Sequence, residues 1–141
     1  MIVTGESSKN VRAITDQNSF QNQILQPVSL MNQEWALIYD SEDYKYANLL
    51  FENLHVASEK LGTSVEEPYW IELRPRAQPR DYEQAISKQI NRNSSCCVVV
   101  LLPQFKMYQQ VKRALDKTGV ISQIVLKTNL RKAEFKESFG Y

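Results

Sequence analysis

Tyr108 and Lys112 stand four residues apart in the stretch LLPQFKMYQQVKRALDKTGVISQIVLK, and Gln123 follows within the same stretch. On a helix a four-residue spacing puts two side chains on one face, one turn apart. If the helix begins just before Tyr108, both lie near its N-terminus, where free backbone N–H groups and the positive end of the dipole favour an anion. A lysine there adds a full charge. A tyrosine beside it offers a flat surface on which a nucleobase can stack, and the Gln123 amide can donate to an anion. Together these residues describe a site for a terminal nucleotide, with its phosphate on Lys112, Gln123 and backbone amides and its base over Tyr108. The same spacing also fits an amphipathic helix whose lysine faces water and whose tyrosine is half-buried.

The elements that must position this group are legible around it. CCVVVLL (Cys96–Leu102) reads as a strand and is closed by Pro103, with Met107–Lys117 as a helix stopped near Gly119. SQIVLK (Ser122–Lys127) reads as a further strand. Upstream, WALIY (Trp35–Tyr39) is a short unbroken apolar run that suits a strand buried on both faces. Asp40 and Ser41 come next as helix-start residues, with Tyr44, Ala47, Leu50, Phe51 and Leu54 at helical spacing behind them and Gly62 as the stop. YWIEL (Tyr69–Leu73) is a second strand, and RPRAQPR (Arg74–Arg80) leads into a helix with Tyr82, Ala85, Ile86 and Ile90 on its apolar face.

Strands alternating with helices in this way specify an α/β, Rossmann-like fold, with a mostly parallel four-stranded sheet flanked by helices. In such folds ligands bind in the crevice outside the carboxyl ends of the strands. Leu102 and the Pro103–Tyr108 turn are therefore the place to look. Residues 1–31, rich in Ser, Asn and Gln, read as a linker or extended arm with a short strand at Ile24–Leu30. Residues 32–141 read as the compact domain, with a further helix in Asn129–Phe139.

Composition narrows the function. The 141 residues are 43% hydrophobic and 23% charged with a net charge of +1, which excludes wholesale disorder. The charge is unevenly spread: residues 1–103 carry 9 Lys and Arg against 13 Asp and Glu, whereas residues 104–141 carry 8 against 3. A basic C-terminal third points to a local anion site or to a solvated face. No apolar run reaches the roughly 18 residues of a membrane span, and the N-terminus lacks the apolar stretch of a signal peptide. Adjacent Cys96 and Cys97 make no disulfide framework, which fits cytoplasm or nucleus.

Catalytic readings find no support. Neither GxGxxG nor GxxxxGK[ST] occurs among only four glycines, His55 has no ligand partners at metal spacing, and the acidic pairs Glu42/Asp43 and Glu66/Glu67 have no base beside them. No cofactor or metal is expected.

VVVLLPQFKMYQQVK followed by SQIVLK (Val98–Lys127) resembles the MID domain of the Argonaute/Piwi family, and NQEWALIYDSEDYKYANLL (Asn32–Leu50) is similar to the opening strand and first helix of its Piwi-clade members. That family has an apolar strand, a short specificity loop, a Tyr-x-x-x-Lys helix and a later Gln. The resemblance implies a non-enzymatic module that anchors the 5′-monophosphate and first base of a single-stranded guide (piRNA-like) RNA. It assigns Tyr108 to base stacking, Lys112 and Gln123 to the phosphate, and Pro103, Gln104, Phe105, Lys106 and Met107 to the base-testing loop. It also implies the remaining Argonaute/Piwi domains as partners, with any target cleavage in a PIWI domain. The second phosphate-binding lysine of the family would fall past Tyr141. A protein-interaction module of the same fold, docking through Arg74–Arg80 or Tyr44/Tyr46, is the alternative.

Overall fold

A computed structural model describes residues 34–62, 64–93 and 95–130. Its centre is a sheet of β1 (Trp35–Asp40), β2 (Tyr69–Leu73), β3 (Cys97–Leu102) and β4 (Ser122–Leu126), in the order β2-β1-β3-β4 with every pairing parallel. All six residues of β1 and all six of β3 are buried. Their near-continuous apolar runs can be satisfied only between two covered faces. The edge strand β2 is half-exposed, and Tyr69 there is open to solvent.

Three helices connect the strands: α1 (Tyr44–Lys60), α2 (Pro79–Arg92) and α3 (Tyr108–Asp116). Ala47, Leu50, Leu54 and Ala57 form the buried stripe of α1. A single-turn 3₁₀ segment, Ser41–Asp43, precedes it, capped by Asp40, whose Oδ1 accepts from the Glu42 N–H at 2.8 Å. Gly62 stands just past α1 at φ +75°, a left-handed backbone that costs glycine little and other residues more. Gly119 does the same after α3 at φ +72°.

Helix α2 packs against α3, so the two share a face of the sheet. The right-handed rule for β-α-β units puts α1 on the other. The core joins the sheet to all three helices through Leu37, Val100, Leu50, Ile86, Val111 and Leu115. The α/β, Rossmann-like class read from the sequence is therefore the observed one, with the sheet wholly parallel.

Boundaries differ from the sequence reading in small ways with clear causes. Strand β1 extends through Asp40, while β4 ends at Leu126. Cys96 stays outside β3 because its N–H closes a turn onto the Asn93 carbonyl. Phe105–Met107 forms a 3₁₀ turn, so α3 starts at Tyr108 rather than Met107. Residues 127–130 are helical, the beginning of the helix expected over Asn129–Phe139. The rest of that helix, the arm of residues 1–31 and the strand at Ile24–Leu30 lie outside the described residues.

Candidate functional site

Strands β1 and β3 end side by side, and the chain leaves both towards the same rim. A crevice of about 510 Å³ opens there, walled by Pro103, Gln104, Lys106 and Met107 on one side and by Arg76, Ala77, Gln78 and Pro79 on the other. Four of the five residues of the expected base-testing loop thus line the crevice at the carboxyl ends of the strands. Asp40, Glu42, Asp43 and Lys127 complete its lining.

Two of those carboxylates are structurally committed. Asp40 accepts from Glu42 N–H through one oxygen and from Ala77 N–H through the other, at 2.7 Å, tying the end of β1 to the loop before α2. Asp43, only 4% exposed in its side chain, accepts from Lys127 Nζ at 2.9 Å. Lys127 lies just after β4, 84 residues along the chain, and its ammonium also sits 5.7 Å from the Tyr46 ring. Arg76 and Lys106 pair with no carboxylate among the described residues, so the crevice lining carries two unpaired cations against the Asp40 and Glu42 carboxylates, neither of which is ion-paired among those residues.

The fifth loop residue, Phe105, points elsewhere. Its ring lies on Tyr108, with centroids 5.4 Å apart and planes 21° from parallel, and it is 55% exposed. Tyr108 is fully buried, not half-buried, as the first residue of α3. Its hydroxyl has no hydrogen-bond partner among the described residues. Burial pushes its pKa well above the ordinary tyrosine value, and the nearby Asp116 carboxylate adds to the shift.

Lys112, one turn on, is ion-paired with Asp116 rather than open to solvent, and its side chain is 13% exposed. Tyr108, Lys112 and Asp116 thus occupy one side of α3, as the spacing required. The sequence reading missed Asp116, although a lysine and an aspartate four apart is a visible signal. Gln123 is the second residue of β4, in register with Val99, while Leu126 is in register with Leu102. At about 3.3 Å per residue, Gln123 lies roughly 10 Å back from the carboxyl end of the sheet.

None of Tyr108, Lys112 and Gln123 lines the crevice at the strand ends. The loop thus runs into Tyr108 at the start of α3, with Lys112 one turn on and Gln123 set back on β4, and the three residues share no open cavity with the loop there. Neither Gln104 before the 3₁₀ turn nor Met107 before α3 makes a side-chain cap. Helix α2, by contrast, has the Asp81 carboxylate accepting from Gln78 N–H at 2.7 Å and from Arg74 Nε at 3.1 Å. The start of α3 is closed instead by backbone carbonyls of the 3₁₀ turn, with Met107 N–H donating to Gln104 and Tyr108 N–H to Phe105.

Other reactive groups are structural. Cys96 and Cys97 are buried thiols, and burial raises both, Cys97 to about 11. His55 faces Glu59 across one turn of α1. Among the described residues no three His, Cys, Asp or Glu side chains converge to hold a metal ion. No helix among them is long and apolar enough to cross a membrane.

No protein-family profile matches the chain, and no curated protein does. Among solved structures, the chain is similar to the Argonaute protein from Methanocaldcoccus janaschii at 21% identity and a TM-score of 0.43, over 73% of this chain. The chain spans 17% of that protein's length.

Proposed function

We propose that this domain binds the 5′-monophosphorylated end of a single-stranded small RNA, as a MID-like module of the Argonaute/Piwi type. Tyr108 shelves the first base, Lys112 and Gln123 hold the phosphate, and Pro103–Met107 meets the base edge. The module acts by binding alone, within a larger protein whose other domains hold the remainder of the strand. The observation that carries the reading is the placement of Tyr108 and Lys112 on one side of α3, with Tyr108 at the helix start directly after the crevice-lining Met107 and Lys112 one turn on. The orphaned Tyr108 hydroxyl supports it further, since a phosphate oxygen would give that buried donor an acceptor.

Two internal contacts must yield to such a ligand. Phe105 covers one face of the shelf, and Asp116 already holds the Lys112 ammonium. Two charge-assisted hydrogen bonds are worth about 1.5–3 kcal/mol each and a base stack about 1–3 kcal/mol. Immobilising the ligand takes back about 4–15 kcal/mol, which leaves at most about 5 kcal/mol, so a lone mononucleotide binds with a Kd of about 0.2 mM at best.

The test is a titration followed by backbone amide chemical shifts, with UMP, with uridine, and with UMP against Lys112→Ala. Phosphate-dependent shifts centred on 105–112 and abolished in the variant are the expected outcome. Equal responses to uridine and UMP, or none at millimolar ligand, would favour a protein-interaction module. The exposed aromatics Tyr44 and Tyr69 are the observation behind that second reading.

A further inference from the structure

Helices α2 and α3 leave a groove between them of about 940 Å³, distinct from the strand-end crevice and opening on the outer side of the helix layer. Ile86, Ile90 and Ala114 contribute its apolar lining, and Lys106, Arg113 and Lys117 its cations. Glu83 is the carboxylate in the groove, and it is occupied: Gln110 Nε2 donates to it at 2.6 Å. Among the described residues Lys106, Arg113 and Lys117 have no carboxylate partner, whereas the other two cations of the same stretch, Lys112 and Lys127, are both ion-paired. The groove lining thus carries three cations against the single Glu83 carboxylate, whereas the neighbouring Lys112 and Lys127 are each ion-paired.

The cations form a row. Arg113 on α3 and Lys117, the residue that caps its C-terminus in helical conformation, are one turn apart, about 6 Å along the axis at 1.5 Å per residue. Lys106 precedes Arg113 by seven residues and lines the strand-end crevice as well, so the row runs out of the groove into that crevice. A linear polyanion fits a row of this kind better than a single small anion does. Phe105, the chain neighbour of Lys106, lines neither opening, but its ring is more than half exposed with one face covered by Tyr108, which leaves an aromatic surface next to the first cation of the row. Cations spaced along a groove, with an exposed aromatic ring adjacent in the chain to one of them, are the chemistry of single-strand nucleic-acid binding, in which the backbone is held by charge and bases stack. An acidic peptide would use the cations but leave the ring idle.

We propose that the α2–α3 groove is a second nucleic-acid contact, holding the phosphodiester backbone of a single strand through Lys106, Arg113 and Lys117. It requires no terminal phosphate and does not depend on the Tyr108–Lys112 site. Arg113 and Lys117 are exposed, so reversing their charge leaves the core intact.

The experiment measures fluorescence anisotropy of a 3′-labelled, 5′-hydroxyl oligouridylate of twelve residues against the protein and its Arg113→Glu/Lys117→Glu variant, at several salt concentrations. The wild-type protein should bind, more tightly than it binds a four-residue oligomer. The variant should lose at least tenfold in affinity at low salt, and the slope of log K against log salt should shrink by about 1.4, from about 0.7 per phosphate contact on a single strand. UMP shifts should persist in the variant, which separates this site from the terminal one. Absence of oligomer binding, equal affinity of the variant, or equally effective competition by a polyaspartate of matched charge would overturn the proposal, the last in favour of an acidic protein partner.

Discussion

Replacing Phe105 with alanine uncovers the face of Tyr108 on which a nucleobase is proposed to sit. The ring pair, 5.4 Å apart and 21° from parallel, belongs to the class of aromatic contact worth about 0.5–1.5 kcal/mol beyond simple burial. If the base takes the place of the Phe105 ring, that contact is broken each time a nucleotide binds, and deleting it in advance returns the same energy. At 1.4 kcal/mol per tenfold, UMP affinity should rise about 2- to 12-fold. The substitution itself is mild. Phe105 is already 55% exposed, so less than half of the roughly 1.5–3 kcal/mol available from burying a large apolar side chain is at stake, about 1 kcal/mol. Calorimetric or chemical-shift titration of wild type and Phe105→Ala with UMP, and with inorganic phosphate as a control that uses no stack, gives the comparison. Tighter UMP binding with unchanged phosphate binding is expected. Unchanged or weaker UMP binding would refute the reasoning, the first by showing that the base does not use this face and the second by making Phe105 part of the grip.

Tyr108→Phe removes a buried hydroxyl that has no partner among the described residues and should raise stability by about 1 kcal/mol in a denaturant melt; a loss of that size would mean the hydroxyl is bonded. Lys127→Ala strands the Asp43 carboxylate, 4% exposed, without its counter-ion and should cost about 3 kcal/mol. The double variant with Asp43→Asn should cost less than the single one, and equal costs would deny the coupling. The Asp81 carboxyl is held below the usual carboxylate range by the Gln78 backbone N–H and by Arg74. Its contribution is present above the unfolded value of roughly 4 and is lost as pH falls through the lower folded value, so Asp81→Asn should flatten the acid limb of the stability curve below about pH 4. An unaltered acid limb would contradict that assignment.

The parts of the molecule that were legible are those governed by local pattern. The apolar runs at Trp35–Tyr39 and Val98–Leu102 could only be buried strands, Asp40 stands where a helix-start cap belongs, and Gly62 and Gly119 mark helix ends because their backbones turn left-handed. The common side of Tyr108 and Lys112 came from the helical period alone. The features that escaped the sequence are mainly tertiary. Nothing local pairs Asp43 with Lys127 across 84 residues; the stacking of Phe105 on Tyr108 is local, since a 3₁₀ turn eclipses side chains three apart, but it follows only once that turn replaces the first turn of the helix. The complete burial of Tyr108 likewise depends on how α3 seats on the sheet rather than on its own sequence. Arg113 and Lys117 read in the sequence as part of a basic third, and only the packing of α2 beside α3 shows that they line a groove.

A crystal structure of the domain soaked with UMP tests the central claim most directly. The expected result has the phosphate within hydrogen-bond distance of Lys112 Nζ and the Gln123 amide, the uracil ring parallel to Tyr108, and Phe105 displaced from its present place. A phosphate bound along the α2–α3 groove with Phe105 still covering Tyr108, or a nucleotide whose base lies away from that ring, would contradict it.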